Sequence, residues 1–212
     1  MPFYEQTDLP SGTTILLWHI TETEQEFMKL GGNPLAWQLL LMSQPNAKRR
    51  RELLAVRMLL KTYFGKVTEI RYSDAGVPML AGNAMQLSVS HTGDWAAIAL
   101  HPTRKIGIDI ETIGNKVERV AHKFLSEEEA EYIPKTSGNI VMHLYWCAKE
   151  ALYKAIGKTG VDFIQHLHVD AFDTPTKGTT TACEKTTSDT QPYRLQYRTY
   201  DDFVLVCAEP IG

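Results

Sequence analysis

Apolar and polar positions along this chain alternate between two rhythms, a period of two and a period near 3.6. Lys105-Ile106-Gly107-Ile108-Asp109-Ile110-Glu111 has the strand rhythm, with Ile106, Ile108 and Ile110 on one face and Asp109 and Glu111 on the other. The spacing predicts a long helix from Asn139 to Ile156, closed by Gly157 or Gly160. Within it Glu150 and Lys154 lie one turn apart. A second clear helix is predicted over Lys48 to Phe64, where Leu53, Leu54, Val56, Leu59, Leu60 and Phe64 recur near the helical period and Gly65 can stop it.

The remaining elements are shorter. Thr14 to Ile20, Met85 to Ser90 and Trp95 to His101 read as strands, the last two joined by a Gly93-Asp94 hairpin signal. Thr21 and Glu24 form a candidate capping box for a helix that Gly31-Gly32 ends, and Ser126 with Glu129 forms another for a helix toward Ile133. Asp74 to Pro78 is turn chemistry. Strands are expected at His166 to Phe172, Tyr193 to Tyr200 and Phe203 to Ala208. Thr174 to Gln191, rich in Thr, Pro, Gly and Ser, reads as a loop or a loose hairpin. This pattern gives an α+β fold, each half holding a long helix and about three mostly antiparallel strands.

Composition narrows the class. With 212 residues, 43% hydrophobic and 22% charged, the chain can bury a real core. A net charge of −3 does not suit a general polyanion binder, so the run Lys48-Arg49-Arg50-Arg51 is a poor case for nucleic acid. Three cysteines, Cys147, Cys183 and Cys207, are too few for a disulfide framework and point to a reducing compartment. The first residues lack a secretory pattern and no apolar run is long enough to span a bilayer, so a cytoplasmic protein without a membrane partner is expected.

Candidate chemistry centres on the acidic strand and the long helix. Two carboxylates from a strand and a third beside an ammonium on a helix suit a hard cation and an anionic phosphate. Taken singly, each piece has a plainer explanation. Alternate carboxylates on a strand ordinarily face water, Glu150 with Lys154 is a common surface ion pair, and Trp146 is by default a core residue. His143 and Cys147 on the helix, with His166 and His168 on a strand, offer zinc-type ligands but no paired zinc frame.

Gly107-Ile108-Asp109-Ile110-Glu111, followed by Trp146-Cys147-Ala148-Lys149-Glu150-Ala151-Leu152-Tyr153-Lys154, resembles the two-part signature of the 4′-phosphopantetheinyl transferases, in particular the surfactin-type branch. Three more stretches resemble family segments in the same order: Arg51-Glu52-Leu53-Leu54-Ala55, Ser88-Val89-Ser90-His91-Thr92-Gly93 and Lys123-Phe124-Leu125-Ser126-Glu127-Glu128-Glu129. Any one of these is a common short pattern, and five in order are specific.

The resemblance implies two similar halves related by a pseudo-twofold, with the active site in the cleft between them. The halves would be residues 1–104, on the side of the coenzyme A 3′-phosphate and adenine, and residues 105–212, carrying the metal and catalytic motifs. It implies transfer of the phosphopantetheine arm of coenzyme A to a serine of an apo acyl or peptidyl carrier protein, releasing 3′,5′-ADP. Asp109, Glu111 and Glu150 would hold Mg²⁺, Lys154 would contact the phosphates, and Glu150 would be the base, weak at an ordinary carboxylate pKa. Arg51, Ser90 and His91 would meet the 3′-phosphate. Lys116, Arg119 and Lys123, with Phe124 and Leu125, would meet an acidic carrier. Two built-in halves predict a monomer.

One departure is visible. Relatives often carry Gly-Lys-Pro where this chain has Gly76-Val77-Pro78. The loss predicts weaker coenzyme A binding, or compensation from Lys48 or Arg50. A non-catalytic homologue that binds coenzyme A or a carrier is the alternative reading.

Overall fold

The computed structural model describes residues 3–185 and 190–212. It divides into two compact units, one running to Thr103 and one starting at Arg104.

The first unit is built on six antiparallel strands: β1 (Phe3–Asp8), β2 (Thr14–His19), β3 (Ile70–Tyr72), β4 (Pro78–Leu80), β5 (Gln86–Thr92) and β6 (Trp95–His101), in the order β1-β2-β6-β5-β4-β3. This is twice the number of strands that the sequence pattern suggested. The added ones are short or polar, so alternation alone does not reveal them. Helices α1 (Glu24–Gly31), α2 (Leu35–Ser43) and α3 (Ala47–Phe64) accompany the sheet.

The α1 capping box is Thr23 with Glu26, two residues beyond the expected Thr21 and Glu24. Glu22 explains the shift. Its Oε2 accepts from Trp18 Nε1 at 3.2 Å and from the Thr21 amide at 3.2 Å, which buries Glu22 before the helix begins. Helix α2 has no side-chain cap, and its mostly apolar sequence, broken only by Gln38 before Ser43, gives a weak helical period. Helix α3 starts on Asn46, whose Oδ1 accepts from the Arg49 amide at 2.9 Å, and ends at left-handed Gly65. Its buried face, Leu54 to Leu60, packs with Leu16, Trp18, Leu87, Ile98 and Leu100.

The second unit has a five-stranded antiparallel sheet. Its strands are β7 (Gly107–Thr112), β8 (Leu167–Val169), β9 (Lys177–Glu184), β10 (Gln191–Thr199) and β11 (Phe203–Pro210), ordered β7-β11-β10-β9-β8. The segment expected to be a loop or loose hairpin is largely ordered: β9 pairs with β10 from Glu184 opposite Gln191 to Lys177 opposite Arg198. Its threonines are polar but β-branched, and the sheet uses the branching. Residues 186–189 of that stretch lie outside the described residues.

Helices α4 (Val117–Val120), α5 (Glu127–Glu131) and α6 (Gly138–Ile156) complete the unit. The α5 box is the expected one, with Ser126 Oγ accepting from the Glu129 amide at 3.2 Å and Glu129 Oε2 accepting from the Ser126 amide at 2.9 Å. Helix α6 lies over β7 and β11, and its Leu144, Ala148, Ala151, Leu152 and Ala155 join Leu195, Tyr197, Val204 and Val206 in one core. The alanines permit a close approach. No helix among the described residues is long and apolar enough to cross a membrane.

Candidate active site

Strand β7 delivers its two carboxylates to α6, not to water. Gly107 precedes them on the same face, and a Cβ there would lie 1.8 Å from the Ala151 carbonyl oxygen and 2.7 Å from the Ala155 amide nitrogen. Only a glycine lets strand and helix close this far, and closure brings the next two residues of that face under the helix. Asp109 is 4% exposed. Lys154 Nζ donates to Asp109 Oδ1 at 2.7 Å and to the Ile108 carbonyl at 3.0 Å. The lysine thus bridges to the strand, where an ion pair with Glu150 on its own helix was the plain expectation. Trp146 Nε1 donates to Glu111 Oε1 at 2.9 Å.

The electrostatics follow from this crowding. Loss of water raises the Glu150 pKa to about 7, with the charge of Asp109 next in weight. Lys154 offsets part of the rise, and Glu111 adds to it. Glu111 is also raised, first by burial and then by Asp109, against the Trp146 hydrogen bond and Lys154. Glu150 is therefore not the ordinary weak carboxylate base of the sequence expectation. It stands at the threshold of ionisation near neutral pH, where a general base is most effective.

Two carboxylates whose proton affinity is raised beside the charge of Asp109 are suited to a cation, and carboxylate oxygens are the hard donors that Mg²⁺ prefers. Among the described residues no three His, Cys, Asp or Glu side chains stand together as a ready-made cage. The donor set fits an ion that takes part of its coordination from another molecule, as Mg²⁺ does with substrate phosphates. The zinc alternative fails. His143 Nε2 accepts from the Gly114 amide at 3.1 Å while its Nδ1 donates to the Asn139 carbonyl at 2.8 Å, and His166 Nδ1 accepts from the Asp162 amide.

A buried anchor that sequence reasoning missed lies beside Glu150. Lys149 is fully buried, and its Nζ donates to Glu129 Oε2 at 2.6 Å, to the Phe124 carbonyl at 2.6 Å and to the Phe163 carbonyl at 2.8 Å, using all three protons. Burial lowers its pKa, and Glu129 opposes that. Glu129 Oε1 accepts from the Val169 amide at 3.0 Å. One ammonium so ties α5, the segments at 124 and 163 and, through Glu129, β8 to the turn of α6 that carries Glu150. Phe124 and Phe163 also flank the Trp146 ring, with centroids at 5.2 and 5.7 Å. Lysine inside a helical motif looks like a surface residue, so only the burial of its neighbours could have signalled this.

The first unit holds a basic cluster. His91 on β5 shares the face of Leu87 and Val89, which pack with α3. Its Nδ1 lies 3.1 Å from Glu52 Oε2, and its Nε2 contacts the Arg49 guanidinium. Arg49 also pairs with Glu52 at 3.1 Å. The arginine brought to His91 is thus Arg49, with no bond to Arg51 among the described residues. Ser90 is 6% exposed and points to the opposite face of the sheet, as neighbours on a strand must. Arg50 is committed to Glu24 at 2.9 Å and to the carbonyls of Gln44 and Pro45 at 3.0 Å each, so of the two residues expected to compensate for Val77 only Lys48 is exposed and available. In the proposed docking segment Lys116, Arg119 and Lys123 are exposed, but Phe124 is fully buried and Leu125 half-buried.

Residues 105–208 match the 4′-phosphopantetheinyl transferase superfamily. Similar curated proteins include a phosphopantetheinyl transferase of Thraustochytrium sp., 26% identical over 140 residues, covering 54% of this chain and 48% of the relative. The 4′-phosphopantetheinyl transferase HetI of Nostoc sp. is 29% identical over 126 residues, covering 52% of this chain and 53% of the relative. The 4′-phosphopantetheinyl transferase gsp of Aneurinibacillus migulanus is 29% identical over 125 residues, covering 53% and 51%. The chain spans about half the length of these relatives.

Proposed function

Because residues 105–208 belong to the 4′-phosphopantetheinyl transferase superfamily, we propose that this chain is a surfactin-type member that moves the phosphopantetheine arm of coenzyme A onto a serine of an apo carrier protein. The observation that carries the reading is the meeting of β7 and α6, where Glu150 is poised near neutral pH beside Asp109, Glu111 and Lys154. The serine oxygen attacks the β-phosphorus of coenzyme A and forms the new P–O bond. The bond to the bridging oxygen breaks, and 3′,5′-ADP leaves with the electron pair. Glu150 takes the serine proton, directly or through one water.

Asp109, Glu111 and Glu150 would hold Mg²⁺, which when bound neutralises the diphosphate and its leaving oxygen. Trp146 keeps Glu111 oriented through its indole N–H. Lys154 holds Asp109 in place and sets a positive charge beside the phosphate site. His91 and Arg49 are our candidates for the 3′-phosphate, a planar arginine fork and an imidazole being apt donors for it. The unpaired cysteines accord with a reducing, cytoplasmic setting. These residues do not choose among fatty-acid, polyketide and peptide-synthetase carriers.

Val77 in place of the usual lysine favours one other reading, a homologue that binds coenzyme A or a carrier without transferring anything. Mass spectrometry of apo carrier proteins incubated with the chain, coenzyme A and Mg²⁺ separates the two. We expect a mass gain of one phosphopantetheine arm with the wild type and none with Asp109→Ala. A wild-type chain that transfers nothing to any carrier would support the silent homologue, and an active Asp109→Ala would refute the metal assignment.

A further inference from the structure

Helix α2 is apolar on two opposite faces. Trp37, fully buried, and Leu41, half-buried, lie four residues apart on the side that packs with the core. Leu35, Leu39 and Met42, at i, i+4 and i+7, lie on the other side and are 69%, 56% and 85% exposed. A surface helix ordinarily places polar residues there. Nothing in α2 is charged. Its three exposed anchors span about 10 Å of helix axis, and this spacing is the one by which helices seat against a groove or another helix.

Charge indicates the kind of helix that would cover them. Residues 27–51 hold five of the chain's 22 Lys and Arg and none of its 25 Asp and Glu. Arg49 and Arg50 are engaged by Glu52 and Glu24, while Lys29 and Lys48 on either side of α2 in the sequence are exposed. We propose that the outer face of α2 docks an acidic amphipathic helix of the carrier protein. The apolar stripe of that helix would lie on Leu35, Leu39 and Met42, and its carboxylates would lie toward Lys29 and Lys48. The proposal rests on the transferase reading. A second copy of this chain would bring like charges together. A bilayer surface is a poorer match, because α2 has no basic residues of its own and its tryptophan faces inward.

The double variant Leu39→Gln/Met42→Gln tests this, since both positions are exposed and the fold does not depend on them. With melting temperature unchanged, KM for apo carrier should rise about tenfold, with kcat and KM for coenzyme A unaltered, and direct binding of fluorescently labelled apo carrier should weaken equally. Lys29→Glu should act in the same direction. Unchanged carrier affinity in the double variant overturns the proposal. So does loss of wild-type binding to phosphatidylserine vesicles with carrier affinity intact, which would make the face a membrane contact. A shift from dimer to monomer in sedimentation with carrier affinity intact overturns it in favour of self-association. If the wild type transfers nothing, the transferase reading fails, yet the binding measurement still decides the surface: weakened binding in the variant supports it, and no wild-type binding refutes it.

Discussion

Glu150 is raised to about 7 because its burial and the charges of Asp109 and Glu111 oppose a negative charge more than Lys154 favours it. The sign of the linked stability follows. The fold favours the protonated acid, so this contribution is whole below the ordinary carboxylate pKa and is lost as pH climbs from about 4.5 to about 7. Glu150→Gln removes the titration and keeps the shape. In chelator, we expect its melting temperature to match the wild type near pH 4.5, gain on it progressively toward pH 7, and hold that gain above. A constant difference across the range would show that Glu150 does not titrate there. At this scale the sequence displayed Asp109, Glu111, Glu150 and Lys154 through their spacing together with the order of the motifs that carry them. It concealed that Lys154 serves Asp109, that Trp146 serves Glu111 and that Arg49 meets His91, because each of these joins residues at least 35 positions apart.

Between elements, the Lys149–Glu129 pair is a fully buried tie at 2.6 Å. Removing one partner leaves the other as an unmatched buried charge, which costs about 3–5 kcal/mol, whereas apolar replacement of both is often close to neutral. Lys149→Met should therefore be more destabilising in urea than Lys149→Met/Glu129→Leu, despite the larger change in the double variant. A double variant less stable than either single would mean that the hydrogen bonds to Phe124, Phe163 and Val169 matter more than the charges. The long helices α3 and α6 were legible because the helical period and a terminating glycine agreed. Helix α2 and strand β9 were not, since a helix apolar on nearly every side has little period and a threonine-rich strand looks like a linker.

For the molecule as a whole, each unit has its own hydrophobic cluster and its own antiparallel sheet. The α+β class followed from composition and rhythm, but strand order did not, because pairing partners lie far apart in the chain. All three thiols are in the second unit. Cys147 and Cys207 are buried and Cys183 is half-buried, and burial raises the pKa of each. A thiol-specific disulfide reagent should find no more than one reactive group in the native protein, reacting slowly at Cys183, and three after denaturation. Rapid reaction of two or more native thiols would contradict the burial.

Position 107 also limits how this protein can change over generations. A methyl group there would have to occupy the space of the Ala151 carbonyl, so nineteen of the twenty amino acids act as a wedge that splays the strand from the helix and draws Asp109 away from Lys154. Variation in ligand preference must therefore arise at other positions. A library randomised at this codon should return glycine and little else.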